Sequence, residues 1–318
     1  MTPSADTLHA PTLRSLNVDP ARHPRGQAFL SAASGLVCRH GRAYVIADDE
    51  LHLAVFRDTH SPGQLHRLFH GELPAGKKSR KKRKPDVETL LWWPHASDEA
   101  NGGASLLALG SGSRANRERA VLIALDVQGE PAASMPREVD LAPLFAPLRE
   151  RLQSVNIEGA FVLGDELVLL NRGLGHRRTD GRDNVALHYR LADVQALIDG
   201  GTTPLPPQKQ RHIALPRIQG VSLNFTDGAA LPGDREGRWL FTAVAEDSED
   251  SVADGDFLGA AVGLVDAQGT LLALRPLAPA AKVEGIDVQL SHGQMQLCLV
   301  TDADDPEVAS MLLRARWS

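Results

Sequence analysis

Five times along this chain an acidic or hydroxyl residue, in most cases followed by Gly, opens a short apolar strand. The sites are Ser34-Gly35-Leu36, Val87-Glu88-Thr89-Leu90, Ile157-Glu158-Gly159-Ala160, Thr226-Asp227-Gly228-Ala229 and Val283-Glu284-Gly285-Ile286. The lead residues Ser34, Glu88, Glu158, Asp227 and Glu284 stand 54, 70, 69 and 57 positions apart. That is one period of roughly 50 residues plus insertions, the mark of propeller blades when each period is rich in strand pattern.

A common grammar follows each lead residue. A strand runs to a tight turn (His40-Gly41, Gly164-Asp165, His292-Gly293) and a second strand returns. Apolar runs bounded by turn residues in this way are hairpins. Third strands are expected at Leu51 to Phe56, Ala120 to Asp126, Val185 to Tyr189, Gly259 to Val265 and Val308 to Leu313. Outer fourth strands fit Gln64 to Phe69, Arg137 to Leu141, Arg211 to Leu215 and Thr270 to Leu277. The fifth segment then lacks an outer strand, and the run Leu13-Arg14-Ser15-Leu16-Asn17-Val18 is free to supply it and close the ring. The expected fold is an all-β, five-bladed β-propeller, with six blades the alternative if Thr12 to Ser31 formed most of a blade. The expected layout is a disordered N-terminus at 1–10, a single propeller domain at 11–318, a basic loop at 71–86, and partly helical insertions at 140–154 and 191–210. Within the first insertion, Leu141, Leu144, Phe145, Leu148 and Leu152 have helical spacing.

Composition narrows the setting. Hydrophobic residues make up 42% of the 318 and aromatics only 4%, so packing between blades must rest on aliphatic side chains. A net charge of −6 argues against a surface that binds nucleic acid or membrane as a whole. Two cysteines, Cys38 and Cys298, lie in strand-like runs where a buried free thiol is the ordinary outcome. No apolar leader segment and no run approaching 18 apolar residues is seen, so the expected location is cytoplasmic.

In a propeller the innermost strands begin beside the central channel, and the loops joining second to third strands emerge on the same face. The lead residues would ring the channel mouth, with Glu88, Glu158, Asp227 and Glu284 as candidate metal ligands. Arg114, Arg117, Arg172, Arg177, Glu246 and Asp302 on the surrounding loops are candidate ligand-binding residues. Converging carboxylates repel unless neutralised. Ca²⁺, which accepts carboxylates, carbonyls and waters in loose geometry, would do so. In the plainer alternative each acid accepts backbone N–H groups from the next blade and staples the ring.

The repeated starts Ser34-Gly35-Leu36, Ile157-Glu158-Gly159 and Val283-Glu284-Gly285-Ile286 carry a resemblance. So do the polar strand tips Ile46-Ala47-Asp48-Asp49 and Val300-Thr301-Asp302. The layout resembles the calcium-dependent propellers that include phytase-like (esterase-like phytase) domains and the gluconolactonase-type family. It departs from them at Thr89, where Gly is expected, at Ser34, which is not an acid, and in blade number, since those families usually have six. The resemblance implies metal-assisted hydrolysis of a phosphoester, ester or lactone, with Glu158 the candidate catalytic base.

Against that stands a non-catalytic propeller that binds a small anionic ligand or a protein partner through its charged face, with a central cation as a bridge. Gly110-Ser111-Gly112-Ser113 is not a nucleophile motif and reads as a flexible loop. His60, His66 and His70 fall on or near an outer strand, away from the mouth. Lys77 to Lys84 holds five of the seven lysines and reads as a solvated loop. It is the only segment with a nucleic-acid-like charge, and it lacks an aromatic platform.

Overall fold

The computed structural model describes residues 7–94, 104–173, 184–247 and 255–318. Strands dominate, and they form five sheets, antiparallel except for one short parallel pair, arranged as the blades of a β-propeller. Two short strands come first, β1 (Leu8–His9) and β2 (Thr12–Ser15). Blade one is β3 (Ala33–Arg39), β4 (Arg42–Ala47), β5 (His52–Phe56) and β6 (Gln64–Arg67). Blade two is β7 (Val87–Trp93), β8 (Ala104–Gly110), β9 (Arg119–Leu125) and β10 (Arg137–Asp140). Blade three is β11 (Ile157–Leu163), β12 (Glu166–Asn171), β13 (Asn184–Arg190) and β14 (Lys209–Ile213). Blade four is β15 (Arg217–Ile218), β16 (Val221–Ala230), β17 (Trp239–Asp247), β18 (Asp256–Val265) and β19 (Leu271–Ala278). Blade five is β20 (Val283–Ser291), β21 (Gln294–Thr301) and β22 (Met311–Trp317), completed by β2.

Blade five shows how the ring closes. Strand β2 pairs antiparallel with β22, Thr12 opposite Leu313 and Ser15 opposite Met311. The N-terminal run therefore supplies the missing outer strand. It does more than expected, because Leu8–His9, assigned to a disordered stretch at 1–10, pair in parallel with Leu277 and Ala278 of blade four. Two neighbouring blades are thus tied by one short segment. The third strand of blade five starts at Met311, not at Val308. A turn in which Val308 N–H donates to the Asp305 carbonyl comes first, and Ser310 N–H then bonds the Leu30 carbonyl in the closure loop.

The apolar runs have no polar alternation because both faces of each blade are covered. Leu167 and Leu169 of β12 pack toward blade two, while Val168 and Leu170 pack toward blade four. Among the described residues the core divides into five apolar clusters, one between each pair of neighbouring blades. Each fully buried Leu or Val there contributes about 1.5–3 kcal/mol relative to exposure. Four aromatics, Phe161, Phe225, Trp239 and Phe241, meet edge-on or tilted in the gap between blades three and four.

Turn chemistry matches the sequence. His40 and Gly41 adopt φ of 51° and 75°, as do His292 and Gly293, the two consecutive left-handed residues that a type I′ hairpin requires. Helix α1 (Lys77–Arg83) replaces the expected basic loop. Helix α2 (Ala142–Arg151) follows the apolar spacing of its segment despite Pro147. The Pro143 carbonyl, which Pro147 cannot serve, accepts Leu205 N–H at 2.9 Å instead. Helix α3 (Leu191–Ile198) lies in the second insertion, with Val194, Leu197 and Ile198 buried. Among the described residues no helix is long and apolar enough to cross a membrane.

Candidate functional site

Every inner strand carries a β-bulge, at its start in four blades and midway along β16 in blade four, and the bulges define the true repeat. Register shifts fall between Ala33 and Gly35, Val87 and Thr89, Ile157 and Gly159, Phe225 and Asp227, and Val283 and Gly285. The unpaired residues are Ser34, Glu88, Glu158, Thr226 and Glu284. A bulge redirects the side chain of its extra residue, so these five share one structural position. Blade four is therefore displaced by one from the sequence reading: Thr226 leads, and Asp227 takes the place of the following Gly.

That place is crowded. A Cβ on Gly159 would lie 2.7 Å from Asp227 Cα, and one on Gly35 would lie 2.8 Å from Leu90 N. Inner strands of adjacent blades approach here more closely than side chains allow. Asp227 is buried between blades, and its carboxylate accepts Ile286 N–H of blade five at 2.9 Å, with Ala160 and Gly228 N–H as further donors. Burial pushes its carboxyl well above the usual range, against those bonds. Asp227, expected among the candidate metal ligands, has the bonds of a staple between inner strands, the plainer of the two roles open to the lead acids. The two hydroxyl leads are staples as well. Ser34 Oγ donates to the Val87 carbonyl and Thr226 Oγ1 to the Val283 carbonyl, each at 2.7 Å, each bridging to the next blade.

The three glutamate leads sit in a denser network. On the side of blades one and two, the Lys84 ammonium pairs with Asp48 and lies 2.8 Å from Asp86 Oδ1. Asp86 also receives Arg117 Nη1 at 2.6 Å and Ser111 Oγ at 2.6 Å. Asp48, Asp86 and Glu88 each offer a carboxylate oxygen within 4.8 Å of the others. Burial, then Asp86, Glu158 and Asp48, push the Glu88 carboxyl well above its ordinary value. Burial likewise raises Asp48, although Lys84 opposes it.

On the side of blades three to five, Arg172 Nη2 bonds Glu246 Oε2 at 2.6 Å and Nη1 lies 3.6 Å from Glu158 Oε1. Asn156 Nδ2 donates to the same Glu158 oxygen at 2.5 Å. Lys282 Nζ reaches Glu246 Oε1 at 3.3 Å, Glu284 Oε1 at 3.5 Å and Asp304 Oδ2 at 2.5 Å. Two carboxyls on one ammonium are pushed apart. Burial opposes ionisation of Glu246, yet Arg172 and Lys282 outweigh it and hold Glu246 below its usual value. Burial dominates at Glu284 and pushes it up to about 8, even with Lys282 and Arg172 nearby. Glu158 is raised by burial against Arg172.

The remaining expectations fall as follows. Arg117 and Arg172 are inside the network and already paired with carboxylates. Arg114 is exposed, and Arg177 lies outside the described residues. Asp302 follows β21, beside Asp304. The Gly110 to Ser113 segment is tied down, since Ser111 is buried and Arg117 also bonds Ser113 Oγ. The basic segment is no solvated loop: Arg80 and Lys84 are buried, Arg80 Nη2 bonding Glu50 Oε1 at 3.0 Å. His66 lies on outer strand β6.

Lys84, Asp86 and Lys282 were not singled out from sequence as members of the site. A signal for two of them existed. The residues two before each glutamate lead are Asp86, Asn156 and Lys282, all polar. In a period-2 strand that spacing returns a side chain to the same side.

Among solved structures, the chain is similar to glutaminyl cyclase from Myxococcus xanthus, at 13% identity over 98% of this chain and 99% of that one, with a TM-score of 0.46. It is similar to an exo-β-1,3-galactanase from Phanerochaete chrysosporium, at 9% identity over 97% of this chain and 64% of that one, TM-score 0.51. It is also similar to regucalcin, a calcium-binding protein from Agrobacterium tumefaciens, at 11% identity over 99% and 97%, TM-score 0.44. At these identities the likeness concerns the fold alone. No curated protein matches the chain. Residues 29–316 match one family model, and the chain belongs to that family, the family of unknown function DUF6929.

Proposed function

We propose that this propeller is a binding protein that takes a hard divalent cation of the Ca²⁺ kind at Asp48, Asp86 and Glu88, with a small anionic ligand or a partner's carboxylate completing its coordination. The observation that carries this reading is the 4.8 Å clustering of those three carboxylates. Oxygen ligands at about 2.3–2.6 Å from one ion can lie up to roughly 5 Å apart, so the three fit a single Ca²⁺. Lys84 supports the fit, because its ammonium already stands between Asp48 and Asp86 as a cation would. A divalent ion would displace it and would also neutralise Glu88, which Lys84 alone leaves raised. Direct capture of an anion by Arg117 or Arg172 is disfavoured, since both guanidiniums are spent on carboxylates.

Isothermal titration with CaCl2 tests the reading. Saturable binding with micromolar to millimolar affinity is expected, weakened at least about tenfold, or about 1.4 kcal/mol, in Glu88→Gln. Identical heats for wild type and variant would end it.

A second reading, hydrolysis of a phosphoester, ester or lactone, is favoured by the Glu246–Lys282–Glu284 arrangement. One carboxyl is held ionised beside another pushed up to about 8, the pattern of a base with an acid. Glu158, raised by burial, suits proton donation better than the basic role first assigned to it. Turnover of aryl phosphate or aryl ester that vanishes in both Glu246→Gln and Glu284→Gln would establish this reading. No turnover above background in wild type would remove it.

A further inference from the structure

A pocket of about 420 Å³ opens beside the channel mouth, at the seam where blades five and one meet. Its walls are the closure loop before β3, the Asp48-Asp49 loop after β4, the buried side of α1, and the loop after β21 from Asp302 to Glu307. The volume is that of a small-molecule site. No aromatic side chain lines it, and its apolar contacts are Ala32, Ala75 and Pro306.

Two features define what would fit. The first is charge. Six carboxyl groups and four basic groups line the pocket. The bases, however, are shared with carboxylates behind the wall: Arg25 and Arg80 between Asp49 and Glu50, and Lys84 between Asp48 and Asp86. Six acids against four bases leave a deficit of positive charge, even with Lys282 paired to Asp304 from outside the lining. Asp302 registers it, since burial and then Asp48 and Asp304 push its carboxyl well above the ordinary range.

The second feature is hydrogen bonding. Three lining residues have a buried oxygen with no partner: Ser31 Oγ, Gln27 Oε1 and Asp49 Oδ1. Ser31 is only 3% exposed. Gln27 Nε2 donates to the Pro306 carbonyl at 2.7 Å, which fixes the amide and leaves its oxygen over. Asp49 uses its other oxygen on Arg25 at 2.9 Å. These three oxygens can all accept a hydrogen bond, while the one donor in the lining without a well-directed hydrogen bond, Arg25 Nη2, is ion-paired with Asp49 and Glu50. Buried acceptors without donors are costly, and a ligand rich in N–H groups would satisfy them.

We propose that this seam pocket binds a small aliphatic amine with two or more ammonium groups. One ammonium pairs with Asp302 and Asp48, another reaches Gln27, Asp49 and Ser31, and the methylenes lie along Ala32, Ala75 and Pro306. The site shares Asp48 with the cation site proposed above but does not depend on it, because Asp302, Gln27 and Ser31 belong to the pocket, and Glu88 does not line it.

The test is calorimetric titration of the full chain with 1,4-diaminobutane and spermidine, with methylamine as a one-ammonium control. Diamine binding is expected to exceed methylamine binding by about tenfold or more. It should weaken by about tenfold or more in Asp302→Asn and in Gln27→Leu, and stay within about twofold in Glu88→Gln. Circular dichroism confirms that each variant is folded, and Gln27→Leu stands in if Asp302→Asn is not. Absence of heat with either amine up to ~10 mM overturns the proposal, since weaker affinities carry no specificity. Equal affinity in all variants also overturns it, as does loss confined to Glu88→Gln. Failure of Ca²⁺ binding with amine binding intact would remove the cation reading and leave this one standing.

Discussion

Replacing Glu284 by Gln should change how the stability of this protein depends on pH. The Glu284 carboxyl has an ordinary value of 4.5 and is pushed up to about 8 in the fold, chiefly by burial. A carboxyl raised on folding binds its proton more tightly in the native state. Stability from this group is therefore complete below pH 4.5 and is lost as pH rises through the window up to about 8. At 1.36 kcal/mol per unit, the rise corresponds to about 5 kcal/mol above the window. That is an upper figure, because Lys282, 3.5 Å away, and incoming water would relax around the charge.

Glu284→Gln removes the titration while keeping the size of the group. Urea unfolding of wild type and variant near pH 5 and near pH 9 gives two differences. The difference between them should move toward the variant by about 1.5–4 kcal/mol at the higher pH. Comparing the proteins pairwise cancels Glu88 and Asp302, whose shifts have other causes, whereas Glu158 helps to raise Glu284 and eases when that charge is removed. Parallel pH profiles, within about 0.5 kcal/mol, would show that Glu284 is ionised at little cost and that its burial is overstated. A shift in the opposite direction would mean that the ion pair with Lys282 outweighs desolvation.

Three further outcomes are expected. Arg80→Ala should cost about 3–5 kcal/mol by leaving Glu50 buried beside one fewer cation, while Lys82→Ala on the exposed side of α1 should stay within about 0.5 kcal/mol; equal effects would mean the segment is solvated after all. Thr226→Val should lose about 1–3 kcal/mol, since the buried Val283 carbonyl loses its hydroxyl donor, and an unchanged midpoint in chemical unfolding would contradict the staple. Gly159→Ala should cost about 1–3 kcal/mol or more through the clash with Asp227 Cα, with Gly164→Ala, on an open turn, as the comparison whose effect arises from backbone strain alone. If the two alanines behave alike in thermal melts, close approach of the inner strands is not what Gly159 provides.

The fold was legible because its repeat is written in strand grammar that local physics enforces. Turns such as His40-Gly41 and His292-Gly293, and runs such as Leu167 to Leu170, needed no tertiary information. The ring closure by Leu13 to Val18 could be reasoned from an unpaired edge. The site was less legible, for identifiable reasons. Bulge position depends on hydrogen-bond register between strands, so Asp227 was taken for the lead residue when Thr226 is the residue that bulges. Lys84 lies in a run whose like charges suggest solvation, yet Asp48 of another loop and Asp86, two residues on, draw it inward. Arg117 and Arg172 stand out in the sequence as candidate ligand-binding residues because their partners, Asp86 and Glu246, are 31 and 74 residues away. Sequence pattern reports periodicity well and long-range charge pairing poorly.

The clasp made by β1 and β2 has a kinetic side. Residues near 12 pair with residues near 313, and residues near 8 pair with residues near 277. Blades one to three find all their strand partners within their own stretch of sequence, but the fifth cannot finish until β22 has been made and has met β2 from the other end of the ring. Until β1 and β2 dock, the outer edge of β22 and the flank of β19 are unpaired strand edges, open to the wrong partner. Contacts this distant in sequence slow folding, so the last step of assembly should be late and concentration-sensitive, with domain-swapped dimers as its characteristic error.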